Sequence, residues 1–206
     1  MSDKVDGQQY FTADPSSEHH YQDFDFELLG HNLHFRTDSG VFSKRTIDFG
    51  SRTMLDAAID VAIPAGRVLD LGTGYGPVGV AYAKASGREI DMVDVNERAL
   101  ELAEHNAEKN GVADRVRVFQ SDIYQAVDND YALILVNPPI RAGKQVVTAM
   151  LQDAKEHLVE GGKLIAVLQK KQGAPSALKN MEATFGNAQV IAKKKGYQIL
   201  ESVKHD

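Results

Sequence analysis

A four-residue segment, Asn137-Pro138-Pro139-Ile140, follows a continuous apolar stretch at 131–136 and has residue types that could activate an amino group. Such an apolar run is typical of a strand buried on both faces. The two prolines stiffen the backbone, and the residue before a proline is held extended. The Asn137 side-chain oxygen and the Pro138 carbonyl could then accept both protons of a planar NH₂ group and aim its lone pair at an electrophilic carbon. The alternative is that Asn-Pro only ends a strand and begins a turn.

A second candidate site is the glycine-rich segment 70–79, which reads DLGTGYGPVG. Glycines permit a tight turn and close approach of a ligand, and the next helix presents free N–H groups there. Gly74, Gly76 and Gly79 match the G-x-G-x-x-G dinucleotide pattern, so a nicotinamide cofactor and a tight turn without ligand both remain alternatives. Asp70 favours a cationic sulfonium cofactor, because a carboxylate would repel a pyrophosphate.

Two polar segments follow the next predicted strands. Asp94-Val95-Asn96 ends one strand at the distance where an acidic residue can hold ribose hydroxyls. The alternative role for Asp94 is a helix N-cap, and the two roles can coexist. Asp122-Ile123 follows the next strand, and a simple turn is the alternative to a ligand contact there.

The elements that must position these segments alternate along the chain from residue 67. We predict strands at 67–71, 89–94, 115–120, 131–136, 164–169, 189–194 and 197–203, and helices at 48–62, 77–85, 97–110, 144–159 and 176–185. Repeated strand–helix units predict a Rossmann-like α/β fold with about seven strands in a mostly parallel, doubly wound sheet, whose ligands bind at the carboxyl ends of the strands. Period-two alternation at 24–28 and 33–36 predicts a preceding β-hairpin. We therefore assign 1–50 to an N-terminal extension that packs on the core and 51–206 to the Rossmann-like domain.

With Asp70 two residues before its first glycine, the turn resembles motif I of class I S-adenosylmethionine-dependent methyltransferases. The Asn137 segment resembles motif IV of amine methyltransferases, in which Asn or Asp precedes Pro-Pro and an aromatic residue. Ile140 departs from that aromatic, which counts against adenine-N6 DNA enzymes and glutamine-N5 release-factor enzymes, although Ile140 can still pack on a base. The resemblance implies catalysis by Asn137, Pro138 and Pro139. It implies S-adenosylmethionine binding by Asp70, Gly72, Thr73, Gly74, Gly76, Asp94, Val95, Asn96, Asp122, Ile123 and Asn137.

Taken together, several segments resemble a narrower family, the small-domain methyltransferases similar to the ribosomal small-subunit RNA guanine-N2 methyltransferases. The likeness lies in Gly-Val-Phe-Ser and Asp-Phe-Gly-Ser within 40–51, in 68–79 and in 137–144, with weaker likeness at 170–173 and 195–197. It covers roughly residues 8–203.

That family resemblance implies further site residues and a nucleic-acid partner. In such relatives the 40–51 segment lies over the cofactor, so Phe42, Asp48 and Gly50 are implied pocket residues; the alternatives are core packing for Phe42 and helix capping for Asp48. The implied partner is ribosomal RNA or the small ribosomal subunit. The larger guanine-N2 enzymes carry a second domain for which this chain has no room, which leaves a homodimer or a different RNA position open.

The charge distribution bears on such a partner. Residues 1–140 hold 12 basic and 23 acidic side chains, whereas 141–206 hold 11 basic and 6 acidic ones, within a net charge of −6. This asymmetry can hide a basic face, and chance is an equal alternative. Candidate phosphate contacts are Arg141, Lys144, Lys170 and Lys171. Solvated loop charge is favoured for 193–195, and anchoring of the N-terminal arm is favoured over base stacking for Tyr10, Phe11 and Tyr21.

The composition narrows the classes of protein that remain possible. The chain has no cysteine, so disulfides and thiolate metal sites are excluded, and its seven histidines show no metal-ligand pattern. It shows neither a signal peptide nor an apolar run long enough for a membrane span, and a cytoplasmic location is expected. Guanine-N2 methylation of RNA is the main hypothesis. The others are methylation of a protein or small-molecule amine, a nicotinamide-dependent oxidoreductase, and a non-catalytic RNA-binding assembly factor.

Overall fold

The computed structural model of the protein describes residues 19–38, 46–128 and 130–206. Within these residues one sheet is formed by seven strands: β3 (Val68–Leu71), β4 (Ile90–Asp94), β5 (Val116–Gln120), β6 (Tyr131–Val136), β7 (Leu158–Gln169), β8 (Gln189–Lys194) and β9 (Tyr197–Val203). Their order in the sheet is β5-β4-β3-β6-β7-β9-β8. The five strands from β5 to β7 are parallel, and β9 pairs antiparallel with both β7 and β8.

Helices cover both faces of this sheet. They are α1 (Phe49–Ala58), α2 (Pro77–Ser86), α3 (Glu97–Lys109), α4 (Lys144–Gln152) and α5 (Ala174–Phe185). Alternate residues of β6 point into two separate cores, with Leu133 and Leu135 among the helices α1 to α3 and Ile134 and Val136 against α4 and α5. Burial on both faces explains why the β6 sequence is continuously apolar. The predicted doubly wound Rossmann-like fold is thereby confirmed.

An N-terminal hairpin of β1 (Gln22–Leu28) and β2 (His31–Thr37) packs against α3. Two asparagines of α3 hold its backbone: the Asn106 amide oxygen accepts from the Arg36 N–H at 2.7 Å, and the Asn110 amide oxygen accepts from the His34 N–H at 2.9 Å. Both amide nitrogens donate to carbonyls of the same residues. The predicted hairpin is present, and these side chains satisfy backbone groups of β2 that its partner strand leaves open.

The predicted helix at 144–159 is wrong in its second half. Helix α4 ends at Gln152, a short 3₁₀ helix spans Asp153–His157, and β7 begins at Leu158. A glycine pair just past a predicted helix is a common helix stop, but Gly161-Gly162 lies inside this strand. A Cβ on Gly162 would stand 2.8 Å from the Tyr131 carbonyl oxygen, and the pairing of β6 with β7 shifts register at that point. The glycines therefore permit an irregularity within the strand rather than ending a helix.

Candidate active site

The carboxyl ends of β3, β4 and β6 meet at one edge of the sheet and carry the main candidate residues. The glycine-rich loop leaves β3, Asp94 ends β4, and Asn137 follows β6 directly. Because β3 lies between β4 and β6, the loop is flanked by the two polar positions. The sequence predicted a site at the carboxyl ends of the strands, and the candidate residues lie at that edge of the sheet.

Asp70 holds the glycine-rich loop in place through two hydrogen bonds. Its carboxylate accepts hydrogen bonds from the Thr73 hydroxyl at 2.6 Å and from the Gly79 N–H at 2.8 Å, and the residue is only 3% exposed. Burial raises the pKa of the Asp70 carboxyl to about 6, the nearby Asp94 acts in the same direction, and the two hydrogen bonds oppose the shift. Asp70 thus ties the start of the loop to the first turn of α2.

The glycines of the loop fall into two groups. Gly76 and Gly79 are packing positions, since an added Cβ on either would lie 2.7 Å from Met92 side-chain atoms. Gly72 and Gly74 both have positive φ, at 76° and 58°. A Cβ on Gly74 would meet nothing within 4 Å, so the backbone there faces open space. Gly74 is accordingly where a ligand can approach the main chain.

Asp94 closes the opposite side of the loop. Its carboxylate accepts from the Gly74 N–H and the Asn96 N–H, both at 2.9 Å, and burial raises the pKa of this carboxyl. The N-cap of α3 is Asn96 and not Asp94, because the Asn96 side chain accepts from the N–H groups of Arg98 and Ala99. The capping alternative considered for Asp94 therefore belongs to its neighbour, while Val95 uses its carbonyl to accept from the Gln120 amide.

The turn after β5 places Asp122 and Ile123 differently from each other. Asp122 is exposed, whereas Ile123 is half-buried and has a φ of 52°. A β-branched residue is rarely found in this left-handed region, and such strain concentrates at functional sites. The Ser121 hydroxyl donates to the Ile123 carbonyl at 2.8 Å and holds the strained residue in place. The Ser121 N–H also donates to the Asp94 carbonyl, so this turn adjoins β4 at the candidate site.

Asn137 has a fixed orientation. Its amide nitrogen donates to the Asp48 carboxylate at 3.1 Å and to the Ser51 hydroxyl at 2.9 Å. A carboxylate can only accept, so the NH₂ end of the amide must face Asp48 and the oxygen must face away. Within residues 19–38, 46–128 and 130–206, no group donates a hydrogen bond to the Asn137 side-chain oxygen. That oxygen remains available to a ligand.

Asp48 and Ser51 reach Asn137 because of their spacing at the start of α1. Asp48 is the N-cap, and its carboxylate accepts from the Ser51 N–H at 3.0 Å. The cap interaction brings the Ser51 side chain beside the carboxylate. The sequence indicated Asp48 as a cap candidate but did not indicate Ser51 as a site residue. A sequence signal for Ser51 is its position in the Asp-Phe-Gly-Ser segment. Its partner, Asn137, lies too far away in sequence to be inferred.

The other two predicted pocket residues of this segment are Gly50 and Phe42, and the structure describes only Gly50. Gly50 is buried, and a Cβ there would lie 2.8 Å from the Tyr197 ring and 2.9 Å from the Asp48 carboxylate. Gly50 thus has a packing role that is visible without a cofactor. Phe42, like Tyr10 and Phe11, lies outside the residues that the structure describes. Tyr21 is exposed, with its ring stacked on His19 at 5.2 Å.

The segment that begins with Asn137 turns outward after Pro138. Pro138 is buried and Ile140 is 37% exposed. The Pro139 carbonyl accepts from the Ala142 N–H at 2.9 Å and begins a 3₁₀ helix at Ile140–Ala142. Arg141 and Lys144 are exposed beyond it, and Lys170 and Lys171 are exposed after β7 at the same edge of the sheet. These four cations follow the carboxyl ends of the neighbouring strands β6 and β7.

Other site types find no support in the described part of the chain. Residues 19–38, 46–128 and 130–206 contain no group of three or more metal-ligating side chains. None of the described helices has the length and apolarity needed to cross a membrane.

A glycine-rich loop after the first parallel strand, an acid at the end of the second and Asn-Pro-Pro after the fourth define a Rossmann-like methyltransferase. The profile of the family described as "Methyltransferase small domain" matches residues 32–201, and the chain belongs to this family. The chain is 46% identical over 200 residues to the uncharacterized protein YbxB of Bacillus subtilis (strain 168), covering 96% of this chain and 98% of that relative.

Two similar proteins have named activities. Ribosomal RNA small subunit methyltransferase C of Vibrio parahaemolyticus is 31% identical over 194 residues, which cover 92% of this chain and 54% of that protein. The structure of the T. thermophilus 16S rRNA N2 G1207 methyltransferase in complex with AdoMet and guanosine superposes with a TM-score of 0.81 at 25% identity, covering 90% of this chain and 51% of that chain. The chain spans about half the length of these two relatives. The prediction of a methyltransferase that uses S-adenosylmethionine is confirmed at the level of the family.

Two features of the described residues fit that cofactor. The open space over Gly74 leaves room beside the loop, and a side chain there would begin to fill it. The Asn96 amide nitrogen is a buried donor without a hydrogen-bond partner among the described residues, next to Asp94. A polar ligand with hydroxyl groups can satisfy groups of this kind.

Proposed function

We propose that this chain transfers a methyl group from S-adenosylmethionine to the N2 amine of a guanine in small-subunit ribosomal RNA. One observation carries the proposal: the Asn137 amide is fixed by Asp48 and Ser51 so that its oxygen is free at the carboxyl edge of the sheet. Family membership and the named relatives support the choice of substrate.

The fixed oxygen suits an exocyclic amine. The guanine N2 nitrogen carries two protons, and its lone pair is delocalised into the ring. In the proposed complex, the Asn137 oxygen accepts one N–H and the Pro138 carbonyl accepts the other. These bonds favour a tetrahedral nitrogen whose lone pair points away from both acceptors. Preorganisation by Asp48 and Ser51 means that the amide does not have to reorient during the reaction.

The proton balance follows from the chemistry of an amide. Asn137 is not a base, so it does not remove a proton before the nitrogen attacks. The nitrogen forms the new N–C bond as the S–C bond breaks, and the electron pair of that bond stays on sulfur. The nitrogen then loses one proton to water. When bound, S-adenosylmethionine supplies the electrophilic methyl carbon.

The proposed cofactor site lies over the glycine-rich loop. Asp94 is placed to accept from ribose hydroxyls, since each carboxylate oxygen can accept more bonds than the one it receives from the backbone. Asp70 holds the loop and contributes negative charge to the side where the sulfonium would lie. The remaining proposed cofactor contacts are Phe42, Asp48, Gly50, Gly72, Thr73, Gly74, Gly76, Val95, Asn96, Asp122, Ile123 and Asn137.

The proposed RNA contacts lie on the outer side of the catalytic turn. Ile140 is exposed next to Pro139 and offers an apolar surface to the face of the extruded base. Arg141, Lys144, Lys170 and Lys171 are exposed cations that can contact the RNA backbone. An apolar side chain is a weaker platform than an aromatic ring, so the backbone contacts carry more of the binding.

The test is methyl transfer from labelled S-adenosylmethionine to small ribosomal subunits and to free ribosomal RNA, both from a strain lacking this gene. The expected result is label in RNA that digests to N2-methylguanosine, lost with Asn137→Ala at saturating S-adenosylmethionine while thermal unfolding shows that the variant keeps its fold. Label in protein, or in another nucleoside, would reject the proposal. Binding of NAD in place of S-adenosylhomocysteine would point to an oxidoreductase. An RNA-dependent role that survives Asn137→Ala would indicate an assembly factor.

A further inference from the structure

An aromatic ring beside the catalytic segment is surrounded by cations. The guanidinium carbon of Arg52 lies 5.1 Å from the centroid of the Phe49 ring, and the ammonium groups of Lys194 and Lys195 lie at 5.8 Å and 5.0 Å. The Arg52 guanidinium also lies 5.3 Å from the Phe26 ring. We call Phe26, Phe49, Arg52, Lys194 and Lys195 the Phe49 platform.

The three cations of this platform outnumber the two acidic residues that line the same cavity, Glu27 and Asp56. Among the described residues, none of the three forms an ion pair, and the buried Nε atom of Arg52 has no hydrogen-bond partner. Each cation–π contact is weak on its own, and the three positive charges repel one another. A cluster of this kind is stabilised by an added ligand that carries negative charge and a flat face.

The platform lies at the same edge of the sheet as Asn137. Phe49 directly follows Asp48, whose carboxylate holds the Asn137 amide. In the sheet, Gln169 at the end of β7 pairs with Tyr197, which pairs with Lys194 at the end of β8. The Lys170 N–H donates to the Gly196 carbonyl at 2.8 Å. The lysines at 193–195, interpreted from sequence as solvated loop charge, therefore lie at the end of β8 and in the turn that contacts Lys170.

A cavity of about 180 Å³ opens beside the ring. Phe26, Phe49, Arg52 and Lys194 line it together with the carboxylates of Glu27 and Asp56. This volume is below the roughly 300 Å³ at which ligand pockets begin, so it suits one ring system rather than a whole nucleotide. The two carboxylates can accept from the amino and imino groups of a base. The lysines outside the cavity are placed for phosphates.

We propose that the Phe49 platform binds a nucleotide of the single-stranded RNA that flanks the methylated guanine, by stacking its base on Phe49 and holding its phosphates with Lys194 and Lys195. This inference rests on the proposed function and extends it. Proteins bind single strands through this combination of aromatic rings and a basic track, and one base–aromatic stack changes affinity by roughly 5- to 150-fold. The position next to Asp48 makes it a contact for the neighbour of the target nucleotide.

The experiment measures binding of a short fluorescent oligoribonucleotide by anisotropy across a range of salt concentrations. Phe49→Leu removes the π face and keeps an apolar side chain, while Phe49→Tyr keeps the ring. The double variant Lys194→Gln/Lys195→Gln removes two charges from the exposed surface and does not depend on the core. Lys109→Gln is the matched control, since Lys109 is an exposed lysine at the end of α3, on the opposite edge of the sheet.

The expected results separate stacking from charge. Phe49→Leu should weaken binding at least about fivefold with an unchanged salt slope, and Phe49→Tyr should restore it. The double lysine variant should weaken binding and lower the salt slope by about one to two. Both should raise the KM for RNA more than they lower kcat, with unchanged calorimetric binding of S-adenosylhomocysteine. Lys109→Gln should behave as wild type.

Three outcomes would overturn the platform, and they are distinguishable from failure of the proposed function. If both sets of variants bind RNA as wild type while Asn137→Ala abolishes N2-methylguanosine, the platform fails and the proposed function stands. If polyglutamate competes as well as RNA and Phe49→Leu has no effect, the surface is a site for acidic protein. If the wild-type chain binds S-adenosylhomocysteine but neither binds nor methylates RNA, both proposals fail.

Discussion

The amide nitrogen of Asn137 lies 3.1 Å from the Asp48 carboxylate oxygen, although 89 residues separate the two in sequence. Asp48 also caps α1 through the same oxygen, so one side chain both begins a helix and orients the proposed catalytic amide. The two roles of Asp48 can be tested separately. A shorter acceptor side chain can still cap α1, whereas only a side chain as long as Asp reaches the Asn137 amide.

Asp48→Ser is expected to lower kcat with little change in stability. Serine is an equally good N-cap, but its hydroxyl is too short to hold Asn137. Hydrogen bonds to charged groups contribute about 1.5–3 kcal/mol, which corresponds to a roughly tenfold to 150-fold loss in kcat if the bond acts in the transition state. The measurement is single-turnover methyl transfer together with thermal unfolding. Asp48→Ala should also unfold about 1 kcal/mol more easily. An unchanged rate for Asp48→Ser would show that Ser51 alone orients the amide.

Two glycines of the loop should respond differently to alanine. Gly76→Ala places a Cβ 2.7 Å from Met92 Cε and 3.2 Å from the Ala103 backbone at a φ of 91°, so we expect a loss of about 2–4 kcal/mol in unfolding free energy. Gly74→Ala meets no protein atom and should lose only about 1–2 kcal/mol for its backbone conformation. Its methyl group points into the proposed cofactor space, however. Urea unfolding and calorimetry with S-adenosylhomocysteine should therefore show a stability defect for Gly76→Ala and a binding defect for Gly74→Ala. The reverse pattern would contradict the assignment of the cofactor to this loop.

Asp70 should make the cofactor-free protein more stable in mild acid. Its folded-state pKa of about 6 lies above the ordinary value of 3.8, so the folded protein binds the proton more tightly than the unfolded chain does. The contribution of this group to stability therefore rises as the pH falls through 6 and levels off below 3.8, by roughly 1 kcal/mol between pH 7.5 and pH 5. Asp70→Asn lacks this proton, so the difference in unfolding free energy between wild type and variant should shift by that amount in favour of wild type. Carboxylates that do not interact with Asp70 titrate equally in both proteins and cancel, whereas Asp94 interacts with Asp70 and belongs to the measured difference. A difference that does not depend on pH would mean that Asp70 keeps an ordinary pKa.

The sheet and the loop residues could be predicted because their signals are local. Strand β6 is apolar at every position, and Asp70 and Gly74 lie within one turn. The hydrogen bond between Asp48 and Asn137 could not be predicted from the residues, because it depends on how α1 packs across the end of β6. The Gly161-Gly162 pair shows a different limit. A helix stop and an irregular strand use the same residue type, and only the Tyr131 carbonyl opposite decides between them.

Lys194 and Lys195 show how topology changes the interpretation of a charge run. Three consecutive lysines usually form a solvated turn. The turn from β8 into β9 becomes part of the candidate site only because β9 is antiparallel to β7, which brings its first residue to the carboxyl end of the parallel strands. That reversal follows from strand order, which the sequence does not specify locally.

Exchanging the two partners of the central hydrogen bond tests its role most directly. Asn137→Asp alone would place two carboxylates about 3.1 Å apart, and their repulsion should displace the side chain and lower kcat by about 100-fold or more. Adding Asp48→Asn restores a donor opposite an acceptor: with its NH₂ in the place of the oxygen that contacts Asn137, an asparagine at position 48 can donate to an aspartate at position 137, while the α1 cap that this oxygen forms is lost. The double variant should therefore recover at least about tenfold in kcat over Asn137→Asp, a positive coupling between two residues in contact. Single-turnover rates of the four proteins at saturating S-adenosylmethionine, with thermal unfolding as the control for folding, measure this coupling. Additive losses would mean that the contact is structural and that the Asn137 oxygen does not depend on Asp48 for its orientation.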